Sequence, residues 1–573
     1  MKLALKFKEF EYARPDIKKL ESDFDMMIGE FNNSKNADGQ YEILKKINKL
    51  RKGFESMRSI SNIRYTGNTK DKFYGEEHEY FDNIGPVYAG LINRLYKTLL
   101  GSKFRKDLEE KTGKVLFRLA ELSIKTFKPE IIDDLKKENQ LVSEYVKLIA
   151  SASIKFEGEE RNISGMAPFM QSQNRQVRKN AAEGKWKFFE ENEKVIDRIY
   201  DDLVKVRTVI AKKLGYENFT QLGYDRMRRT DYTSREVSDF RNSVKEFIVP
   251  LSQKLKEMKR QRIGEDKLHY YDEGFSFKGG NPVPKGKPEW ITEKAGKMYD
   301  QLSEETGKFF KFMTGGELLD LYNRKDKAAG GYCAFIPDHE SPFIFANMNG
   351  TSDDIRVLTH EAGHAFQAFE SRSFELPEYR VPSMESAEIH SMSMEFITWP
   401  WMQLFFEEDT DKFLYAHLSR AISFIPYGVS VDEFQHYVYA NPEATPDDRK
   451  KKWREIEKKY RPHMNYEENE FLERGGFWFH QGHIFKMPFY YIDYCLAQIC
   501  ALQFWRKCSH DRDIAWKDYL ELCKAGGSKS FLELLKIAKI DSPFDKSVVK
   551  SIVEYSENWL ESVSKEFDQA EAG

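Results

Sequence analysis

The chain has 573 residues, more than one ordinary hydrophobic core serves, so two or three lobes around a shared interior are expected. Apolar residues at 40% are enough to bury such a core, and charged residues at 32% suit a solvated helical surface. A net charge of −3 with the signs well mixed excludes the clustered basic surface that non-specific nucleic-acid binding needs.

The N-terminal stretch "MKLALKFKEFEYARPD" holds no apolar run long enough for a signal peptide, and nothing approaches 18 uninterrupted apolar residues. A cytoplasmic protein without a membrane span is therefore expected. Most of the chain reads as helix. "YEILKKINKLRKGFESMRSI" (41–60), "EENEKVIDRIYDDLVKVRTVIAKKLG" (190–215) and "SREVSDFRNSVKEFIVPLSQKLKEMKRQR" (234–262) repeat apolar residues at three and four. Gly215 is a stop signal for the second, and Pro250 is expected to kink or break the third. A soft lobe boundary is placed near residue 190, giving an N-terminal helical lobe (1–190) and a second lobe (191–573).

Two regions interrupt the helices. "ASIKFEGEERNISGM" (152–166) reads as a short hairpin around Gly158, and the Gly- and Pro-rich stretch 270–290 as a long loop. "GGYCAFIPDHESPFIFANMNGTSDD" (330–354) then predicts two or three strands that feed into a helix. A small sheet beside a helical site is the expected local architecture. Of the five cysteines, Cys333, Cys495, Cys500, Cys508 and Cys523, none forms a CxxC pair, and the odd number makes no disulfide framework; they are read as reduced thiols.

The helix after the strands carries "THEAGHAFQAFESR" (359–372). Positions four apart lie on one helical face, so His360 and His364 point two imidazoles at one ion, with Glu361 beside them to take a proton from a metal-activated water. Thr351 or Ser352 is the expected cap, with Asp353 and Asp354 in the first turn. Zinc wants a third protein ligand and an open fourth position. The HExxHxxGxxH pattern is absent, because Gln367 and Glu370 stand where it needs Gly and His. The remaining source is "VPSMESAEIHSMSMEFITWPW" (381–401), which Ser383 is expected to cap and which offers Glu385, Glu388 and Glu395. Spacing does not choose Glu388 over Glu385, and either could instead orient a histidine. A third element, "WFHQGHIFKMPFYYIDYCLAQ" (478–498), brings His480, His483, Tyr490, Tyr491 and Tyr494; a tyrosine hydroxyl there can donate to a tetrahedral oxyanion, or be one of an aromatic core stripe. His390, His417 and His436 are read as structural.

Together "HEAGH", "ESAEIHSMSMEF" and "HIFKMPFYYIDY" resemble the oligoendopeptidase F branch of the zinc oligopeptidases that include thimet oligopeptidase and neurolysin, and the stretches 330–354 and 524–541 resemble it as well. The resemblance runs from about residue 195 to 560. It implies a mainly α, two-lobed metallopeptidase with a deep substrate channel and a small sheet next to the zinc-binding helix. It further implies one Zn²⁺ per chain and cleavage of short unstructured peptides. By the same resemblance His360, His364 and Glu388 are the ligands, because Ser391 and Glu395 follow Glu388 at the family's offsets. Glu361 is then the general base, and Tyr491, Tyr494 and His483 are the groups near the oxyanion. The gap from histidine to tyrosines is about one residue shorter than in thimet oligopeptidase, so Tyr490 can stand in for Tyr491. The strand around 343–349 is expected to pair with the substrate backbone. Two rivals stay open: a zinc carboxypeptidase, for which no cation to hold a terminal carboxylate is identified, and a helical scaffold without activity.

Overall fold

The computed structural model describes residues 5–572. It is a mainly helical fold with two small sheets. Helices form where the apolar spacing predicts them. Ala37–Gly67 buries Leu44, Ile47, Phe54 and Ile60. Glu193–Leu214 buries Ile196, Ile199, Leu203 and Ile210 and stops at Gly215, whose φ of 90° is left-handed. Pro250 does not break its helix. The segment runs as Ser234–Ser243, a π-helical turn Val244–Ile248, and Val249–Ile263. The wide turn just before the proline absorbs the ring that an unbroken α-helix would force against its own carbonyl.

The hairpin is β1 (Ile154–Phe156) and β2 (Glu159–Arg161), antiparallel, turned by Glu157 and Gly158 at φ 49° and 80°. The second sheet holds β3 (Leu319–Tyr322), β4 (Tyr332–Ile336) and β5 (Ser341–Met348) in the order β3-β5-β4. β5 runs parallel to β3 and antiparallel to β4. This narrows the expectation for 343–349: β5 is the central strand, paired with β4 up to Phe345 and with β3 up to Met348. β3 and β4 are the edge strands, and β4 packs on the helix Asp353–Glu370.

Two large apolar cores result. The larger holds the sheet, the helix Asp353–Glu370 and nearly everything after it. It also takes Leu141, Tyr145, Trp186 and Phe189, so the boundary expected near 190 falls within its span. The smaller is built from residues 20–120 with two outsiders, Leu376 and Tyr379. These two lie in the connection between the HExxH helix and the helix Met384–Ile397. In the same connection Glu378 accepts from Arg51 (2.7 Å) and Tyr96 (2.6 Å), all buried. The five cysteines are free, and among the described residues no helix is long and apolar enough to cross a membrane.

Candidate metal centre and active site

The motif helix is Asp353–Glu370. Neither Thr351 nor Ser352 caps it with a side chain. Instead the Asp354 carboxylate reaches back to accept from the backbone N–H groups of Asn349 and Gly350, both at 2.8 Å. A carboxylate there satisfies loop donors and sits favourably at the positive end of the helix. The ligand helix is Met384–Ile397, and Ser383 does not cap it either, its hydroxyl lying 3.1 Å from that of Ser386. The two helices meet backbone to backbone at Gly363. A Cβ there would stand 2.5 Å from the His390 carbonyl oxygen and 2.7 Å from the Ser391 Cα. That close approach sets Glu388 against the two histidines.

His360, His364 and Glu388 each offer one ligand atom, all within 4.8 Å of one another. Glu388 Oε2 is 3.3 Å from His360 Nε2 and 3.4 Å from His364 Nε2. Glu385 is outside this group. Its carboxyl is buried near Asp493 and Arg229, and burial followed by the Asp493 charge pushes it up to about 8. The residues fit a divalent cation with N and O preferences. Burial alone would lower the pKa of His360, but hydrogen bonds to Glu388 and Glu395 outweigh it and raise it to about 10. The Glu388 carboxylate that favours a proton on His360 would also favour a cation between them. Glu388, although buried, is held well below the usual carboxylate range by His364 and His360.

Behind the ligand atoms runs a chain of hydrogen bonds. His360 Nδ1 bonds Glu395 Oε1 at 2.7 Å, His417 Nε2 bonds Glu395 Oε2 at 2.8 Å, and the Trp399 indole donates to His417 Nδ1 at 2.8 Å. Ser391 donates to Glu388 Oε2 at 2.8 Å, and the Tyr490 hydroxyl donates to Glu388 Oε1. Glu361 follows His360, is buried, and has an Oε2 with no hydrogen-bond partner among the described residues. Burial raises its pKa. Its other oxygen faces the start of β4, where a Cβ on Gly331 would come within 3.3 Å. The glycine leaves room beside the carboxylate.

The third element is a 3-10 turn Gly476–His480, a short helix Gly482–Lys486 and the tyrosine helix Tyr491–His510. The Tyr494 hydroxyl is 3.4 Å from His483 Nε2, and Gln481 holds His483 Nδ1 at 2.7 Å. Tyr491 packs its ring on Phe424, Tyr427 and His483, and its hydroxyl bonds no described residue. Tyr490, one residue before the helix, is the tyrosine that touches Glu388. His390 uses Nδ1 on the Ser386 carbonyl, its Nε2 having no partner among the described residues, and His436 bonds the Tyr224 hydroxyl. His417, read as structural in the sequence, is joined to the site through Glu395. Nothing in the sequence flags it, because it lies on a different helix, Thr410–Ala440.

Residues 168–277 and 288–554 match peptidase family M3, and residues 7–127 match the Peptidase M3 N-terminal domain. The chain belongs to peptidase family M3. It is similar to the oligopeptidase PepF of Bacillus subtilis strain 168, at 21% identity over 88% of this chain and 78% of that protein. The oligoendopeptidase F homolog of Borreliella burgdorferi is 24% identical over 70% of this chain and 67% of its own length. Among solved structures, PZ peptidase A with an inhibitor superposes with a TM-score of 0.96 at 54% identity, covering 97% of this chain and 99% of that one. The oligoendopeptidase-F of Enterococcus faecium, at 14% identity and a TM-score of 0.62 over 96% of this chain and 98% of that one, shares the fold. An M3 chain is a peptidase of the oligopeptidase type, so the scaffold reading without activity is set aside.

Proposed function

We propose that this M3 peptidase is a zinc endopeptidase of short, unstructured peptides. The observation that carries the reading is the convergence of His360, His364 and Glu388 with the unpartnered Glu361 carboxylate next to them. His360, His364 and Glu388 would hold the ion, which supplies Lewis acidity to a peptide carbonyl. Glu361 removes a proton from the attacking water and returns it to the leaving amine. Its raised pKa makes both transfers easier near neutral pH. Tyr494 and His483 stand ready to donate to the oxyanion, with Tyr490 or Tyr491 as the second hydroxyl. The substrate backbone adds to the outer edge of β4 at its Tyr332 end, next to Gly331 and Glu361; at the other end Ser59 already donates to the Phe335 carbonyl. Main-chain pairing of this kind reads little side-chain identity, which fits a broad peptidase.

The test is metal content paired with cleavage of an end-blocked, internally quenched peptide. About one zinc per chain is expected, with cleavage lost on chelation and restored by zinc. Glu361→Gln should keep the zinc and lose at least about a thousandfold in kcat. Near-native turnover by that variant would remove Glu361 from the role. Cleavage of peptides with a free C-terminus only would shift the reading to a carboxypeptidase.

A further inference from the structure

A cavity of about 430 Å³ lies beside the site. It shares walls with it in three places. Arg356 lines the cavity from the motif helix, one turn ahead of His360. His417 lines it and bonds Glu395. Phe424 lines it, with its ring 5.7 Å from that of Tyr491.

The wall nearest the motif helix carries two guanidiniums, with Asp353 between them and the buried Glu395 and Glu361 carboxylates near Arg356. Arg356 Nε and Arg420 NH1 both bond one oxygen of Asp353, at 3.0 and 2.6 Å. Two guanidiniums thus share one carboxylate. Arg420 spends a single nitrogen on it, and its other two have no hydrogen-bond partner among the described residues. Its side chain is 57% exposed, which leaves the rest of the planar fork open. Deeper in the cavity Lys256 and Arg461 both face Glu273, at 2.7 and 3.7 Å, and Arg461 also has Glu457 behind it. Lys259 and Arg262 line this end as well, but Lys259 is spent on the Asp272 and Glu273 carbonyls and Arg262 on the Tyr415 hydroxyl, so the exposed cation with open donors is Arg420. A guanidinium presents parallel donors that match a carboxylate in two-point fashion.

We propose that this cavity holds a carboxylate of the bound peptide, seated on Arg420 with Arg356 behind it. The proposal rests on the endopeptidase reading and adds a specificity to it. Four residues of helix separate Arg356 from His360, a rise of about 6 Å. An extended peptide advances about 3.3 Å per residue, which puts a carboxylate level with Arg356 about two residues from the scissile bond. A C-terminal carboxylate and an Asp or Glu side chain offer the same chemistry.

The experiment uses the zinc-loaded full chain and four quenched peptides of one length. They end in a free acid or an amide, and carry Asp or Asn about two residues from the cleaved bond. Wild-type enzyme is expected to show a KM at least about tenfold lower for the acidic member of one pair, with kcat little changed. Arg420→Gln should collapse that ratio to near one, and Arg420→Lys should retain part of it. A preference confined to the acid–amide pair identifies the C-terminal carboxylate. One confined to the Asp–Asn pair identifies a side chain. Equal KM values within both pairs, or a ratio that Arg420→Gln leaves intact, would overturn the proposal. Binding of the same peptides to Glu361→Gln, followed by fluorescence anisotropy, reads the cavity without turnover. No cleavage of any peptide by wild type, together with acid-selective binding there, would sink the endopeptidase reading and leave the cavity assignment standing.

Discussion

Trp399 donates only through its indole nitrogen, and that fixes the protons of its neighbours in sequence. His417 Nδ1 must accept, so its Nε2 carries the proton that Glu395 receives. The other Glu395 oxygen takes the Nδ1 proton of His360, which leaves Nε2 as the nitrogen that faces Glu388 and His364 and that an ion would take once its proton is displaced. Such support usually governs metal affinity by about 10- to 100-fold. His417→Leu is therefore expected to weaken zinc binding by about that factor, read by competition with a chromophoric chelator. His417→Gln, whose amide can still donate to Glu395, should recover most of it, and Trp399→Phe should show a smaller loss. Unchanged affinity in His417→Leu would mean that Glu395 orients His360 unaided. At this scale the sequence was legible where chemistry is compressed into one helix. His360, Glu361 and His364 declare themselves by spacing, and the resemblance singled out Glu388 and Glu395. His417 and Trp399 did not, because a hydrogen bond between separate helices leaves no periodic trace.

The motif and ligand helices come so close because residue 363 has no side chain. Two opposing magnitudes decide what Gly363→Ala would do. Alanine gains about 1 kcal/mol of helix propensity over glycine. Its methyl would stand 2.5 Å from a backbone carbonyl that no rotamer change can move aside. Overpacking of this kind costs about 1–3 kcal/mol, and more when the obstacle is main chain. The net expectation is a lower Tm together with weaker zinc binding, because the ligand helix is pushed back and Glu388 leaves the histidines. A variant that kept both would show that the helices slide apart without cost. Elements were legible where local pattern rules them, as in Ala37–Gly67, Glu193–Leu214 and the β1–β2 turn. They were misread where a neighbour decides. Pro250 sits behind a π-helical turn, Asp354 takes over the capping expected of Thr351 or Ser352, and the strand thought free is flanked by β3 and β4. An alternating run does not reveal which strands will lie on either side of it.

Across the whole molecule, the connection between the helix of His360 and His364 and the helix of Glu388 is clamped by the N-terminal core. Leu376 and Tyr379 are buried in it, and Glu378 meets Arg51 with side-chain exposures of 2% and 6%. Leaving one partner of a buried pair alone costs about 3–5 kcal/mol, because the remaining charge has no water to turn to. Arg51→Met should therefore lower stability by about that amount in denaturant unfolding. Adding Glu378→Gln should cost less than the sum of the two single changes, since the second removes the stranded charge. A purely local bond would stop there. Here the connection fixes where the ligand helix begins, so Arg51→Met is also expected to loosen zinc, although Arg51 lies more than 300 positions from His360 in sequence. Measuring zinc affinity well below the unfolding transition separates the two effects. Native affinity in a destabilised Arg51→Met would confine the N-terminal core to stability. Weaker affinity, with the double variant following the single one, would make that core part of how the metal site is held in place.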